Sequence, residues 1–187
     1  MADEAVMLVE PATPDDLAAM RELLWGYIRD MRDLYAGTPM VAELDDDVWT
    51  RELDTLHVRY AAPAGGMLLA RQAGIDGGCV CLRRIDDETC EMKRLYVAPA
   101  QRGHGLARHL VRGIAAVAQR RGYRRMLLDV GWRQLAALAT YRAMGCQEIP
   151  PYHSGSDWFL AHTTFFAIDP EVLAQGPLAP LQDRNDT

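Results

Sequence analysis

Glu91-Met-Lys-Arg-Leu-Tyr-Val97, followed after Ala98-Pro99-Ala100 by Gln101-Arg-Gly-His-Gly-Leu-Ala107, is the stretch on which the fold reading turns. Cys90 to Val97 reads as a strand, and after Pro99 the pattern changes. Leu106, Leu110, Ile114 and Val117, with Ala107, Val111 and Ala118 beside them, keep a 3.6-residue period that stops at Gly122. Gly103 and Gly105 therefore stand between a strand and a helix start, where backbone amides converge on an anion. A dinucleotide-binding loop would follow the first strand of the chain and want a small residue where Arg108 stands. A phosphate-binding loop of the nucleotide-hydrolase type needs Gly-Lys-Ser/Thr, which is missing. A simple tight turn needs neither two glycines nor Arg102 and Arg108 on either side of them.

Downstream, Arg125 to Val130 reads as an apolar strand, so strand, helix and strand predict a crossover unit with a locally parallel pair. Leu135, Leu138, Tyr141 and Arg142 fall on a further helix that stops at Gly145, and Phe159 to Ile168 reads as a last strand. Upstream, Val6 to Glu10 reads as a strand, and Thr13-Pro14-Asp15-Asp16 opens a helix with Leu17, Met20, Leu24, Ile28, Met31 and Tyr35 at helical spacing. A second helix follows Asp45-Asp46-Asp47, with Val48, Leu53 and Leu56 as its apolar stripe and the acids as cap and dipole partners. Met67 to Gln72 and Gly78 to Arg84 read as strands around a turn at Gly74 to Gly78, completing a three-stranded antiparallel meander with Cys90 to Val97. The organisation predicted is a flexible start over residues 1–5, one domain over 6–169 and a loosely held tail over 170–187.

The chain has 187 residues, 49% apolar and 25% charged, the profile of a globular protein whose length supports a core without staples. Four cysteines form no CxxC pair and no His/Cys cluster has zinc spacing, so they are read as reduced and mostly buried, with no metal site. No apolar run approaches a membrane span, and a cytoplasmic protein without a membrane partner is expected. The net charge of -6 conceals an asymmetry, because Met92 to Arg125 carries nine Lys or Arg and no Asp or Glu. A basic block inside an acidic chain points to a local anion site and not to nucleic acid, which goes with a high overall pI.

These motifs resemble the GCN5-related N-acetyltransferases (GNAT family). Glu91 to Val97 looks like the family's fourth strand, Gln101 to Ala107 like its Q/R-x-x-G-x-G/A loop, and Ala139-Thr-Tyr-Arg-Ala-Met-Gly145 like its tyrosine-bearing helix. The resemblance implies an α/β (α+β) acyl-CoA N-acyltransferase fold, a central mixed and mostly antiparallel sheet flanked by helices. It implies acetyl-CoA as co-substrate, with Leu95, Tyr96 and Val97 along the pantetheine arm. Backbone amides of Arg102, Gly103, His104, Gly105, Leu106 and Ala107 would cradle the pyrophosphate, with Arg102 and Arg108 as charge partners. Tyr141 falls where the family places the donor of a proton to the departing thiolate; read without the resemblance, it is a core aromatic. Glu91 is either a general base or a solvated strand-edge carboxylate.

An alkylamine with a pKa of about 10.4 must lose a proton before it attacks a thioester, which is the work such a base would do. The implied reaction is acetyl transfer to a primary amine of a small molecule or protein, with a silent acyl-CoA-binding sensor as the alternative. The acceptor walls are expected in residues 30–49 and 150–158, which hold Tyr35, Glu43, Asp45, Trp49, Tyr152, His153 and Trp158. Similar folds often pair, so a homodimer is left open, with no heptad or seam to mark an interface.

Overall fold

Thr13 begins the first long helix because it closes a reciprocal cap. Its hydroxyl accepts from the Asp16 amide at 3.1 Å, while the Asp16 carboxylate accepts from the amides of Thr13 and Ala12. The computed structural model describes residues 5–175 and 181–182, the side chains of Glu43, Leu181 and Gln182 excepted. Within them β1 (Met7–Val9) leads to α1 (Pro14–Leu34), then α2 (Asp46–Asp54), α3 (Leu56–Arg59), and the meander β2 (Gly66–Gln72), β3 (Ile75–Arg84) and β4 (Thr89–Val97). After it come α4 (Leu106–Arg120), β5 (Arg125–Gly131), α5 (Leu135–Ala143), β6 (Gln147–Ile149), α6 (Asp157–Ala161), β7 (Thr163–Ile168), α7 (Pro170–Ala174) and β8 (Leu181–Gln182).

The strands form one sheet in the order β6-β7-β5-β4-β3-β2-β1-β8. Only β4 with β5 and β1 with β8 run parallel, so the sheet is mixed and mostly antiparallel, with the predicted crossover through α4. Each face carries its own apolar layer. One joins Leu110, Ile114 and Val117 of α4 to Leu68, Val80, Leu128 and Phe166, and the other joins Met20, Leu24, Ile28 and Tyr35 of α1 to Leu69, Cys79 and Cys81. The four cysteines are free and buried. Among the described residues no helix is long and apolar enough to cross a membrane.

Several local expectations are corrected. Val48 is 52% exposed, and α2 instead buries Trp49, Glu52 and Leu53, since the Asp45 cap sets a helical phase that turns Val48 outward. The turn before β3 is tighter than Gly74 to Gly78, being carried by Ala73 and Gly74 with φ of 53° and 74°. Gly77 and Gly78 belong to the strand, where a Cβ would lie 2.8 Å from Leu106 and 2.7 Å from the Tyr96 carbonyl. They are small because α4 and β4 pack that closely. The last long strand starts at Thr163 and not Phe159, because Ser156 caps a short helix across residues 157–161. β6 is too short and exposed for an alternating pattern to betray it. The segment expected to be loosely held after Asp169 opens with α7, whose Leu173 is buried in the α4 layer. The expected flexible start lies, for residues 1–4, outside the described residues.

Candidate active site

β4 and β5 pair only at their beginnings, Thr89 with Arg125, Cys90 with Met126 and Glu91 with Leu127. Beyond Glu91 the two strands part. A bulge opposite Cys79 and Cys81 helps to turn β4 away, and at it Arg94 adopts a left-handed φ of 61°. Such a conformation in a residue with a side chain costs on the order of 1–3 kcal/mol and persists where surrounding contacts fix it. Here the contacts are a two-pronged ion pair from Arg94 to Glu52, at 2.7 and 2.8 Å, and stacking of the guanidinium 4.1 Å from the Trp49 ring.

Two cavities occupy the parting. The larger is a groove of about 970 Å³ between the end of β4, the loop before α4, and α5. Gly103 and Gly105 line it with φ of 86° and 79°, and α4 begins at Leu106 without a side-chain cap. Uncapped amides at a helix N-terminus are an anion site. Arg102 and Arg108 also line the groove, and Arg102 is tied to the Val97 carbonyl at 3.0 Å and to Asp30 at 2.5 Å.

The smaller cavity is a chamber of about 270 Å³ roofed by Tyr27, Met31, Tyr35 and Trp49 and floored by Lys93, Asp129 and Gly131. Its charges are matched in pairs. Burial opposes ionisation of Glu52, but Arg94 and Tyr60 outweigh it and hold the carboxyl down at about 2. Burial likewise opposes ionisation of Asp129, and Lys93 at 3.0 Å outweighs it, so the carboxyl stays below its usual range. The second oxygen of Asp129 faces Nε2 of His153 at 4.0 Å. Groove and chamber share Tyr27, Met31, Leu95, Gln134 and Ala137 in their walls, so a molecule lying in one reaches the other.

A family model described as "Acetyltransferase (GNAT) family" matches residues 25–146, the span that builds the groove and most of the chamber. The chain belongs to the GNAT acetyltransferase family. An uncharacterised N-acetyltransferase of Schizosaccharomyces pombe is 33% identical over 142 residues, which cover 75% of this chain and 82% of that protein. In fold, the chain is similar to a GNAT acetyltransferase of Staphylococcus aureus, with a TM-score of 0.70 at 16% identity, over 89% of this chain and 99% of that one. It is also similar to the acetyltransferase yncA of Salmonella typhimurium, solved with its cofactor acetyl-CoA. The TM-score there is 0.63 at 20% identity, over 94% of this chain and 97% of that one.

Of the residues expected from the GNAT resemblance, Leu95, Tyr96, Val97, Arg102, Gly103, Gly105, Leu106, Ala107 and Arg108 line the groove. His104 does not; its exposed ring lies 3.4 Å from the Gln101 carbonyl, and its backbone alone belongs to the loop. Tyr141 lines the chamber, and burial pushes its phenol well above the usual range, so it stays protonated. Glu91 is neither solvated nor in the chamber wall. It is 0% exposed, accepts from Tyr152 at 2.8 Å, and is paired with Arg83 and with Lys93 at 3.1 Å. A carboxylate so enclosed lines neither cavity.

On the acceptor side, Tyr35, Trp49 and His153 line the chamber. Asp45 caps α2, Tyr152 holds Glu91, and Trp158 stacks 4.2 Å from His162. The side chain of Glu43 lies outside the described part. Asp129, Lys93, Glu52 and Gln134 went unread. One signal was present for Asp129, the lone acid inside the apolar run from Met126 to Val130.

Proposed function

We propose that the protein transfers the acetyl group of acetyl-CoA to a primary amine by direct attack of the amine nitrogen, without a covalent enzyme intermediate. The observation that carries this reading is the meeting of groove and chamber at Leu95, Gln134 and Ala137, where β4 leaves β5. The groove fits a phosphate-bearing arm, because left-handed glycines, an uncapped helix start, Arg102 and Arg108 lie along one wall. Bound there, acetyl-CoA supplies an acetyl group activated as a thioester.

The chamber supplies the proton chemistry. His153 Nδ1 lies 3.1 Å from the Ser154 carbonyl, which can only accept, so in the neutral ring the hydrogen sits on Nδ1 and the lone pair on Nε2. Nε2 then faces a carboxylate oxygen of Asp129, and two acceptors that face each other call for a donor between them. The N–H bonds of an amine meet that need. His153 takes the proton, and Asp129 steadies the imidazolium formed. Glu91 acts at one remove as a positioning residue, since it holds Lys93 and Lys93 holds Asp129. A strand amide such as that of Leu95 donates to the carbonyl oxygen as charge develops on it. Tyr141, neutral in its buried position, gives its proton to the departing sulfur.

A silent acyl-CoA sensor would use the same groove, but it has no use for opposed proton acceptors in the chamber. The test pairs thermal unfolding with thiol release from acetyl-CoA over a panel of amines. Acetyl-CoA is expected to stabilise both the wild type and the double variant Tyr141→Phe, His153→Gln, while only the wild type releases thiol. Equal turnover by the double variant would overturn the assigned roles.

A further inference from the structure

Two hydroxyls in the chamber wall lack partners. The oxygens of Tyr35 and Thr163 are both buried, and neither has a hydrogen bond of acceptable geometry. The Arg133 amide approaches the Tyr35 oxygen and eases its ionisation somewhat, but nothing accepts the phenolic hydrogen. Burial pushes the phenol up to about 12, so at neutral pH it is an uncharged donor. Buried polar groups in folded proteins are nearly always satisfied, and two orphans in one wall point to a ligand.

Their positions are specific. Thr163 pairs with Gly131 across the β5–β7 ladder, and the Tyr35 hydroxyl sits where a Cβ on Gly131 would come within 2.1 Å of it. The Tyr35 hydroxyl thus lies against Gly131, and Thr163 is the ladder partner of that glycine. Asp129, the proposed amine site, is two residues earlier on the same face of β5, about 7 Å away at the rise of a strand. Apolar and aromatic side chains, among them Met31, Met40 and Phe159, enclose the space. Among the described residues, the two carboxylates in the wall, Glu52 and Asp129, are already matched by Arg94 and Lys93, so no second ammonium is called for.

We infer that the acceptor is a primary monoamine with an apolar spacer and, about 7 Å from its nitrogen, a neutral hydrogen-bonding group held by Tyr35 and Thr163. This rests on the acetyltransferase reading and names its substrate class. A polyamine or a second ionised group at that end does not suit two neutral hydroxyls in an apolar setting.

Tyramine carries the specified groups, and phenethylamine lacks only the hydroxyl, so the two are compared as acceptors, with spermidine as the polyamine. Thiol release is followed for the wild type, Tyr35→Phe and Thr163→Val, and tyramine binding to the CoA-loaded protein is read by calorimetry. Tyramine is expected to exceed phenethylamine about tenfold or more in kcat/KM, and each variant to bring that ratio toward one. Acetyl-CoA should stabilise all three proteins equally, and a merely structural role would leave the substrate ratio unmoved. Gly131→Ala, which displaces the Tyr35 hydroxyl, should lower the ratio as Tyr35→Phe does. A wild-type ratio near one, a ratio unchanged in both variants, or a preference for spermidine would overturn the inference. Stabilisation by acetyl-CoA with neither turnover nor binding of tyramine would overturn it alone; absence of stabilisation by acetyl-CoA would remove the acetyltransferase reading as well.

Discussion

The groove and the chamber meet at five residues and are built from different materials. The groove presents main chain, in the form of two left-handed glycines, an uncapped helix start and the unladdered end of β4. The chamber presents side chains drawn from α1, α2, β4, β5, α5, α6, β7 and the segments before α2 and α6. A wall of main chain is specified by a few neighbouring residues, whereas a wall of side chains is specified by whatever the fold brings together. The first recognises something constant and the second something that varies.

Each half of this comparison can be broken separately. The largest effect is expected at the junction: Tyr141→Phe should lower kcat for thiol release on the order of 10²–10⁴-fold, while stabilisation by acetyl-CoA is retained. In the chamber, Glu52→Ala leaves Arg94 buried without its partner and should cost about 3–5 kcal/mol in urea unfolding. The same pair gives a pH signature. Glu52 takes a proton at about 2 in the folded chain against 4.5 for the free side chain, so its contribution is whole above 4.5 and is lost as pH falls toward 2. Unfolding midpoints measured down that range should drop more steeply for the wild type than for Glu52→Gln.

In the groove, Gly103→Val with Gly105→Val should abolish the roughly 2.7 kcal/mol of stabilisation given by acetyl-CoA at 100 times its Kd. A Cβ meets nothing within 4 Å at either glycine, so the positive φ carries the cost, about 1–2 kcal/mol per site in the free protein. The smallest effect is Asp45→Ala, which removes the cap of the helix that roofs the chamber. It should cost about 1 kcal/mol in thermal unfolding and leave acetyl-CoA binding as it was.

The same contrast explains what the sequence made legible. The β4 strand, its loop and α4 lie within 32 consecutive residues, and their spacing alone pointed to a candidate anion site. α1 was equally plain, because Thr13 and Asp16 form a cap that depends on no distant residue. Glu52 broke the apolar stripe of α2 for a reason that only the fold supplies, since its partner Arg94 is 42 residues away. Glu91 stayed open between a base and a solvated carboxylate because Arg83, Lys93 and Tyr152, which make its burial tolerable, come from two other segments as well as its own strand. Tyr35 and Thr163 look like ordinary helix and strand residues until the fold sets one against Gly131 and pairs the other with it across the ladder.

Asp30 accepts from both Arg102 and the Tyr96 hydroxyl, at 2.5 and 3.3 Å, beside the loop where the pyrophosphate of a donor would lie. The protein therefore keeps an anion of its own at the mouth of its anion site. Entry of a phosphate-bearing donor there would be a counter-ion exchange, in which Arg102 would divide its hydrogen bonds between the newcomer and a carboxylate that repels it. A small phosphate has only the loop amides and Arg108 to set against that repulsion. A donor that also lies along β4 has the length of the groove, so the loop discriminates by what the phosphate is attached to.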